Sequence, residues 1–291
     1  MRLTSKIFIG IFIAVIILSI CVITSLANRY DNDFKIGTTL QNEQVKIDIP
    51  SDYKVILLKT DIPEIWKDRL YSFRKRITGS IDLKKATSNK DISNLLVTKE
   101  LKPYISQTVV DDTLSLHLDL NGLYSQYYDS DFGQIKGLNF TIYVDSLANI
   151  VNKIPGINIS LKDLNMDQIR LSTLAGNIDV QNSNFSTASL FAEGGNNNRL
   201  ILKKCNIDTL NLDLNNLIWK WDDNDISEDN INVINLTGKY KKDYYYGKSM
   251  GFYIPEKLCK TVNWIPKDDN TAFKLEIMTE KGKPASFIIP Q

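Results

Sequence analysis

The sequence predicts an all-β domain built as a β-solenoid and attached to one N-terminal transmembrane helix. Three features of the 291-residue chain indicate this. Residues 7–27 form an uncharged apolar run, apolar and polar residues alternate from about residue 108, and apolar positions then recur about every 21 residues between segments rich in Asn and Gly. Alternation is typical of a strand, whereas the longer fixed interval indicates rungs that stack on one another.

The apolar run has the length of a membrane span. Roughly 20 residues at ~1.5 Å rise each match a bilayer core of about 30 Å. Arg2 and Lys6 precede the run, and a basic flank is retained on the cytoplasmic side. We therefore expect residues 1–6 to be a cytoplasmic tail and residues 7–27 to be the anchor.

Two other interpretations of this run stay open. Ser25-Leu26-Ala27 could be a signal peptidase site, and the segment that ends at Cys21 could be a lipoprotein site. The run is longer than the ~7–15 apolar residues of a signal peptide, which favours the anchor. All three interpretations place residues 28–291 outside the cytoplasm, in the periplasm or the extracellular space.

Composition excludes several function classes. The formal net charge is +1, so the chain lacks the basic balance that general nucleic-acid binding requires. Three cysteines are too few for a disulfide scaffold. Cys205 and Cys259 could pair in an oxidising compartment, but two buried thiols are the simpler expectation.

His117 is the single histidine of the chain. It alternates with Leu114, Leu116 and Leu118, so we expect it on the solvent face of a strand. One histidine in that position removes most Ser-His-Asp and Cys-His chemistry and most zinc sites from consideration.

The N-terminal segment, residues 28–107, is predicted to be β-structure with a helical insertion. Residues 45–58 indicate a first strand pair. A helix is predicted from Asp61 to Ile77, because an Asp cap and an early Pro precede apolar residues at helical spacing. A second short helix is predicted over residues 91–101.

The remainder, residues 108–291, is predicted to be the solenoid with a C-terminal cap. Thr113–Leu120 and Phe140–Val144 alternate as strands, and the segment from Leu123 to Gly133 indicates a Tyr-rich loop. Lys281-Gly282 is predicted to turn between the two strands of a closing hairpin that shields the last rung.

The repeat itself is a set of apolar positions. We align Ile157, Ile159 and Leu164 with Ile178, Val180 and Phe185, and these with Leu200, Leu202 and Ile207; Ile169, Leu190 and Leu210 form a second set, and Ile231 and Val233 continue the first. Val180 and Leu202 should therefore stack in adjacent rungs. An antiparallel sandwich with evenly spaced strands is the alternative.

These segments together resemble a known family. Residues 109–116 (VVDDTLSL), then Phe140–Val144, then Pro155-Gly156-Ile157 and the Asn- and Gly-rich rungs to about residue 238 are similar to the head GIN domain of the putative auto-transporter adhesins of Bacteroidetes. The resemblance covers roughly residues 105–240. It implies a β-roll or solenoid fold and a role in adhesion, and it brings no catalytic residues.

Two segments could carry recognition or metal chemistry. Exposed aromatic side chains are natural contact residues for sugars and proteins, so the candidate binding surface comprises Trp219, Trp221, Tyr244, Tyr245 and Tyr246. Oxygen-rich loops bind calcium, although most are merely solvated; the candidate ligands are Asp222, Asp223, Asp225 and Glu228.

The sequence therefore predicts a non-enzymatic, membrane-anchored protein for adhesion, scaffolding or ligand binding at the cell envelope. We expect no catalytic residue, no cofactor and no nucleic-acid partner. The membrane, through residues 7–27, and an envelope glycan or protein are the expected partners. The alternative is a polysaccharide-active enzyme that uses acidic residues on a β-helix face.

Overall fold

A computed structural model describes residues 16–22, 24, 38–41, 43–61, 77–88, 91, 94–127, 134–145, 149–194, 198–213, 217–219, 229–238, 252–255, 259–266, 273–278 and 284–289. The protein is all-β, with few helical segments. In chain order the strands are β1 (Thr38–Thr39), β2 (Gln44–Asp48), β3 (Val55–Thr60), β4 (Ile77–Lys85), β5 (Asn94–Thr98), β6 (Ile105–Val110), β7 (Thr113–Leu118), β8 (Ile135–Val144), β9 (Asn149–Asn152), β10 (Ile157–Lys162), β11 (Asn165–Thr173), β12 (Ile178–Gln181), β13 (Asn184–Ala192), β14 (Asn198–Lys203), β15 (Asn206–Asp213), β16 (Leu217–Trp219), β17 (Asn230–Gly238), β18 (Phe252–Pro255), β19 (Cys259–Pro266), β20 (Phe273–Met278) and β21 (Pro284–Ile289). A 3-10 helix spans Lys99–Tyr104, and the α-helix α1 spans Leu120–Tyr127.

The described strands form three sheets. Sheet I has the order β16-β14-β12-β10-β4-β8-β5-β2, with β1 beside β8. Sheet II has the order β19-β17-β15-β13-β11-β9-β3-β7-β6. Sheet III contains β18, β20 and β21, and the antiparallel pairing of β20 with β21 confirms the predicted C-terminal hairpin.

Successive strands of the chain alternate between sheets I and II. The chain runs from β10 to β11, from β12 to β13 and from β14 to β15, and each strand pairs in parallel with the strand one circuit later. Parallel neighbours need a long crossover, and here the crossover is the strand in the opposite sheet. The inward side chains of both sheets therefore meet in one hydrophobic core.

Corners with left-handed backbone carry the chain from sheet I to sheet II. Asp163, Asn182 and Lys204 have φ values of 58°, 48° and 56°. Asp and Asn tolerate this conformation better than other residues with a side chain. The next residue at each corner points inward and is buried, as Ser183 and Cys205 show.

The predicted stacking of Val180 on Leu202 is confirmed. The two residues are direct partners in β12 and β14, and their exposed fractions are 1% and 6%. The predicted alignment of β10 with β12 is wrong by two residues. Val180 pairs with Leu161 rather than with Ile159, and Ile178 pairs with Ile159 rather than with Ile157.

The same two-residue slip affects the second aligned set. Ala188, not Leu190, pairs with Ile169 and with Leu210. Because side chains alternate with a period of two, a slip of two keeps every residue on its predicted face. Ile231 also lies elsewhere than predicted, since it pairs with Ile207 in sheet II rather than with the strands of sheet I.

Three N-terminal predictions are corrected. The strands in residues 45–58 exist, but β2 lies in sheet I and β3 in sheet II, so they do not pair. The helix predicted over residues 91–101 is wrong, because Asn94–Thr98 is strand β5, with Leu95 buried between its partners β2 and β8, and only from Lys99 does the chain enter a 3-10 helix. The predicted loop from Leu123 to Gly133 begins inside helix α1.

The helix predicted from Asp61 to Ile77 lies outside the described residues except at its two ends. Ile77 is the first residue of β4 and is fully buried. Of the apolar run 7–27, residues 16–22 and 24 are described and are helical. Within the described part of the chain, no helix combines the length and the hydropathy of a membrane span.

Candidate binding groove on sheet II

In five neighbouring strands of sheet II, one residue at the same position has no partner in the adjacent strand. Ser186 has no partner in β15, although Phe185 pairs with Ile207 and Thr187 pairs with Thr209. The equivalent residues of β11, β15, β17 and β19 are Asp167, Asp208, Asn232 and Lys260. Two consecutive residues of β13, Ser186 and Thr187, therefore point outward between the buried Phe185 and Ala188, which kinks the sheet.

The kink forms a groove of about 200 Å³ across β11, β13, β15 and β17. Phe185 and Ile207 lie buried beneath it, with the partly buried Met166 beside them. One wall consists of the first residue of each strand, and all four are exposed asparagines: Asn165, Asn184, Asn206 and Asn230. The other wall consists of the skipped residues: Asp167, Ser186, Asp208 and Asn232.

One end of the groove is closed by its own hydrogen bonds. Asn232 Nδ2 donates to Asp208 Oδ1 at 2.8 Å, and Lys260 Nζ donates to Asn232 Oδ1 at 2.7 Å. On the opposite wall, Asn206 Nδ2 donates to Asn184 Oδ1 at 2.9 Å. These groups satisfy one another and hold their side chains in place.

The other end is open. The side chains of Asn165, Asp167 and Ser186 have no hydrogen-bond partner among the described residues. The cause is the short neighbouring strand β9, which pairs only with Arg170–Thr173 and so leaves the start of β11 without a partner on that side among the described strands. Amide, carboxylate and hydroxyl groups are therefore available to a ligand here.

Charge at the open end of the groove disfavours anions. Asp167 is a carboxylate, and the Lys260 ammonium lies at the closed end, where it donates to Asn232. A phosphate, sulfate or uronic acid would meet like charge, whereas an uncharged hydroxyl group can donate to a carboxylate or an amide oxygen.

A ladder of amides continues on the same face beyond the groove. Asn211 Nδ2 donates to Ser189 Oγ at 2.9 Å, Asn235 Nδ2 donates to Asn211 Oδ1 at 2.8 Å, and Asn263 Nδ2 donates to Asn235 Oδ1 at 2.9 Å. Each internal amide is both donor and acceptor, so the ladder stabilises the register of the strands beneath it.

A second ladder lies buried under the groove, at the corners. The N–H of Leu164 donates to Ser183 Oγ at 3.2 Å, and the N–H of Cys205 donates to Asp229 Oδ1 at 2.7 Å. Burial raises the pKa of the Cys205 thiol to about 11, although its hydrogen bonds with the backbone of Ser183 and Lys203 partly oppose the shift. The thiol is therefore protonated at neutral pH and is not a nucleophile.

Cys205 is a buried free thiol, as the sequence led us to expect. His117 lies on the outer face of β7, with its Nε2 atom 3.2 Å from Asp61 Oδ2. Ser106 is its direct partner across β6 and β7, yet no hydrogen bond joins Ser106 to His117 in the described structure. This exposed set therefore lacks the nucleophile–base contact that activates a serine.

The structure does not bring the predicted binding residues together. Trp219 ends strand β16, where only the backbone is described. Trp221 and Tyr244–Tyr246 lie outside the described residues, and so do the candidate calcium ligands Asp222, Asp223, Asp225 and Glu228. In the described residues, no three His, Cys, Asp or Glu side chains come together as a metal site. The aromatic surface and the calcium site stay predictions.

Comparison with known proteins adds little. No family model and no curated protein matches the chain. Among solved structures, a crystal structure of a "putative adhesin" from Parabacteroides merdae is similar. The superposition covers 79% of this chain and 99% of the adhesin chain, with 10% sequence identity and a TM-score of 0.24. At that TM-score the likeness establishes neither a shared fold nor a shared function.

Proposed function

We propose that this chain is a non-enzymatic β-solenoid binding protein, held at the cell envelope by residues 7–27, and that the groove on sheet II binds an uncharged, hydroxyl-rich ligand such as a neutral glycan. The alternation of parallel strands between two sheets supports the solenoid assignment. The observation that carries the binding role is the open end of the groove, where Asn165, Asp167 and Ser186 lack hydrogen-bond partners in the described structure.

The chemistry of the walls suits sugar hydroxyl groups. A hydroxyl both donates and accepts, an amide offers one acceptor and two donors, and a carboxylate offers only acceptors. The same groups recur on neighbouring strands at the strand spacing of about 4.8 Å. An extended chain that crosses the strands would therefore meet similar groups at regular intervals.

The cost of ordering side chains is confined to the open end of the groove. The bonds Asn206 to Asn184 and Asn232 to Asp208 already hold the rest of the groove in a single arrangement. A ligand must therefore order only Asn165, Asp167 and Ser186, and each immobilised side chain costs about 0.5–1.5 kcal/mol.

The test is binding of neutral and anionic oligosaccharides to the full chain in mild detergent, measured by calorimetry. We expect neutral ligands to bind and anionic ones not to bind. Asn165→Ala or Ser186→Ala should each weaken binding about three- to tenfold, the usual effect of losing one neutral hydrogen bond. Asn263→Ala, the same kind of truncation on the same sheet but outside the groove, should bind like the parent. Equal affinity in all three variants would contradict the assignment.

A second candidate function rests on the two carboxylates of the groove. Asp167 and Asp208 lie two strands apart, which is about 9.6 Å at the usual strand spacing. Inverting glycosidases use carboxylates about 6.5–9.5 Å apart, so this pair lies at the upper limit. Turnover of a polysaccharide that both Asp167→Asn and Asp208→Asn abolish would establish an enzyme in place of a binding protein.

The location is tested separately. If residues 7–27 anchor the chain with its N-terminus inside, a tag placed after Gln291 should be digested when protease is added to intact spheroplasts. A cytoplasmic marker protein controls for lysis. Full protection of the tag would refute the orientation.

A further inference from the structure

The two outermost strands at one end of the stack differ in how their free edges are covered. Strand β2 ends sheet I among the described strands, and it carries the exposed charges Lys46 and Asp48. Its carbonyl groups also have partners. Lys102 Nζ donates to the carbonyl of Lys46 at 3.4 Å, and Gln107 Nε2 donates to that of Asp48 at 2.8 Å. Charges and capped carbonyls are the usual protection of an edge strand.

Strand β6, which ends sheet II among the described strands, has neither exposed charges nor carbonyl groups that accept hydrogen bonds from described side chains. Its sequence is ISQTVV, without charge or proline, and every residue after Ile105 is exposed. The exposed fraction is 38% for Val109 and 66% for Val110. Among the described strands it pairs only with β7. An uncharged, exposed edge of this kind is a template for pairing with another strand.

The hairpin determines which backbone groups of β6 are free. The two-residue turn Asp111-Asp112 closes the pair Val110–Thr113, so those two residues exchange hydrogen bonds. Pairs in an antiparallel ladder alternate between bonded and non-bonded. The N–H and C=O groups of Gln107 and Val109 and the C=O group of Ile105 therefore point away from β7, toward the open edge, whereas the N–H of Ile105 already donates to the carbonyl of Lys102.

We propose that β6 pairs antiparallel with β6 of a second copy of this chain, about a two-fold axis at Gln107. In this register Gln107 faces Gln107 of the second copy, and Ile105 faces its Val109. Gln107 then exchanges two hydrogen bonds with Gln107 of the second copy, and the N–H of Val109 donates to the C=O of Ile105 of the second copy. The two sheets II become one continuous sheet, and the contact is self-complementary, as a two-fold interface requires.

Charge at the ends of the strand agrees with this register. No charged residue lies within β6, so no like charges meet along the contact. The turn at Asp111 and Asp112 of one copy comes next to the segment of the other copy that carries Lys102, which places opposite charges near each other at both ends. The proposal is independent of what the groove on sheet II binds.

Cysteine cross-linking tests the register. In the full chain in mild detergent, with Cys21→Ala in every variant, Gln107→Cys places two sulfurs across the axis, where Cα atoms of a bonded pair lie about 5.5 Å apart and within disulfide range. We expect a covalent dimer under mild oxidation. Val110→Cys, at a position that is 66% exposed but faces Tyr104 of the second copy, is the matched control and should stay uncrosslinked.

Sedimentation velocity tests the contact without added cysteines. The parent should sediment as a dimer, and Val109→Pro should sediment as a monomer, since it removes an outward N–H without removing a β6–β7 hydrogen bond. Ser106→Ala should leave the dimer intact. Circular dichroism confirms that each variant is folded. A monomeric parent, equal cross-linking at positions 107 and 110, or a ladder of higher oligomers would each overturn the proposal.

Discussion

Replacing Cys205 by Ser should leave stability near neutral pH almost unchanged and should protect the protein against alkali. The reason lies in the preceding corner, where Ser183 occupies the equivalent position. Ser183 Oγ donates to the carbonyl of Gln181 at 2.7 Å, and Cys205 Sγ lies 3.3 Å from the carbonyl of Lys203 in the same relation. A hydroxyl at position 205 can therefore make the bonds that the thiol makes, and we expect a change within about 1 kcal/mol at pH 7.

The effect of alkali follows from the buried thiol. Burial raises the pKa of Cys205 from 9.0 to about 11 in the folded protein. Between these values the unfolded chain has released the proton and the folded chain retains it, so rising pH favours unfolding. The contribution is fully present below about pH 9 and is lost as pH rises through 11. Two pH units at 1.36 kcal/mol each give roughly 3 kcal/mol, which the Ser variant should not lose.

Urea denaturation of the full chain in detergent, at pH 7.5, 9.0 and 10.5, measures the difference. Burial also raises the pKa of Tyr53 to about 12, but Tyr53 is present in both proteins and its contribution cancels. Above pH 9 the free energy of unfolding of the parent should fall relative to that of the variant, by roughly 2 kcal/mol at pH 10.5. If the two curves stay parallel from pH 7.5 to pH 10.5, the Cys205 thiol is not held protonated by burial and the reasoning fails.

Three further substitutions test the stacking, each by its urea midpoint. Val180→Asp should cost several kcal/mol and abolish cooperative unfolding, because it buries an unpaired carboxylate; a melt near that of the parent would contradict the register. Gly176→Ala should cost about 1–3 kcal/mol, because its Cβ would lie 2.0 Å from the Ile157 carbonyl oxygen; Gly194→Ala, with a nearest approach of 3.0 Å, is the milder control and should cost less. Asn211→Ala interrupts the amide ladder and should cost about 1–2 kcal/mol, whereas an unchanged midpoint would show that solvent replaces the ladder without loss.

The faces of the strands could be predicted from sequence because they depend only on a period of two. Leu114, Leu116 and Leu118 are buried and His117 is on the outer face, as their alternation indicated. The helix predicted over residues 91–101 also rested on a local pattern, but it is wrong at Asn94–Thr98. There, tertiary pairing with β2 and β8 overrides a weak helical pattern.

The register could not be predicted because successive circuits of the chain differ in length. Ile159 pairs with Ile178, 19 residues on, whereas Ile178 pairs with Leu200, 22 residues on. An alignment that assumes one constant interval adopts the mean of these two spacings. It therefore misaligns the residues of the shorter circuit by two positions. Since a two-residue shift preserves the inward face, hydrophobicity alone cannot reveal the error.

The groove could not be predicted from sequence, because the asparagines that line it are also typical of the corners of a solenoid. Asn165, Asn184, Asn206 and Asn230 open four successive strands, and each is followed by an apolar residue and then a polar one. That three-residue pattern was visible in the sequence. The pattern alone does not predict a groove, because asparagine is also the usual residue of tight corners. Only the strand pairing shows that the third residue of each pattern has no partner in the next strand.

A stacked polar side chain cannot both stabilise the sheet through a complete set of hydrogen bonds and bind a ligand. An amide that both donates to one neighbour and accepts from the next, as Asn211 does, stabilises the sheet but has little capacity left for a ligand. Binding capacity therefore remains where the row ends. Among the described strands, β9 pairs with β11 only from Arg170 onward and does not continue the row beside Asn165 and Asp167, so in the proposed function the length of one neighbouring strand determines where a ligand binds. Lengthening that row with further asparagines should increase stability and close the open end of the groove.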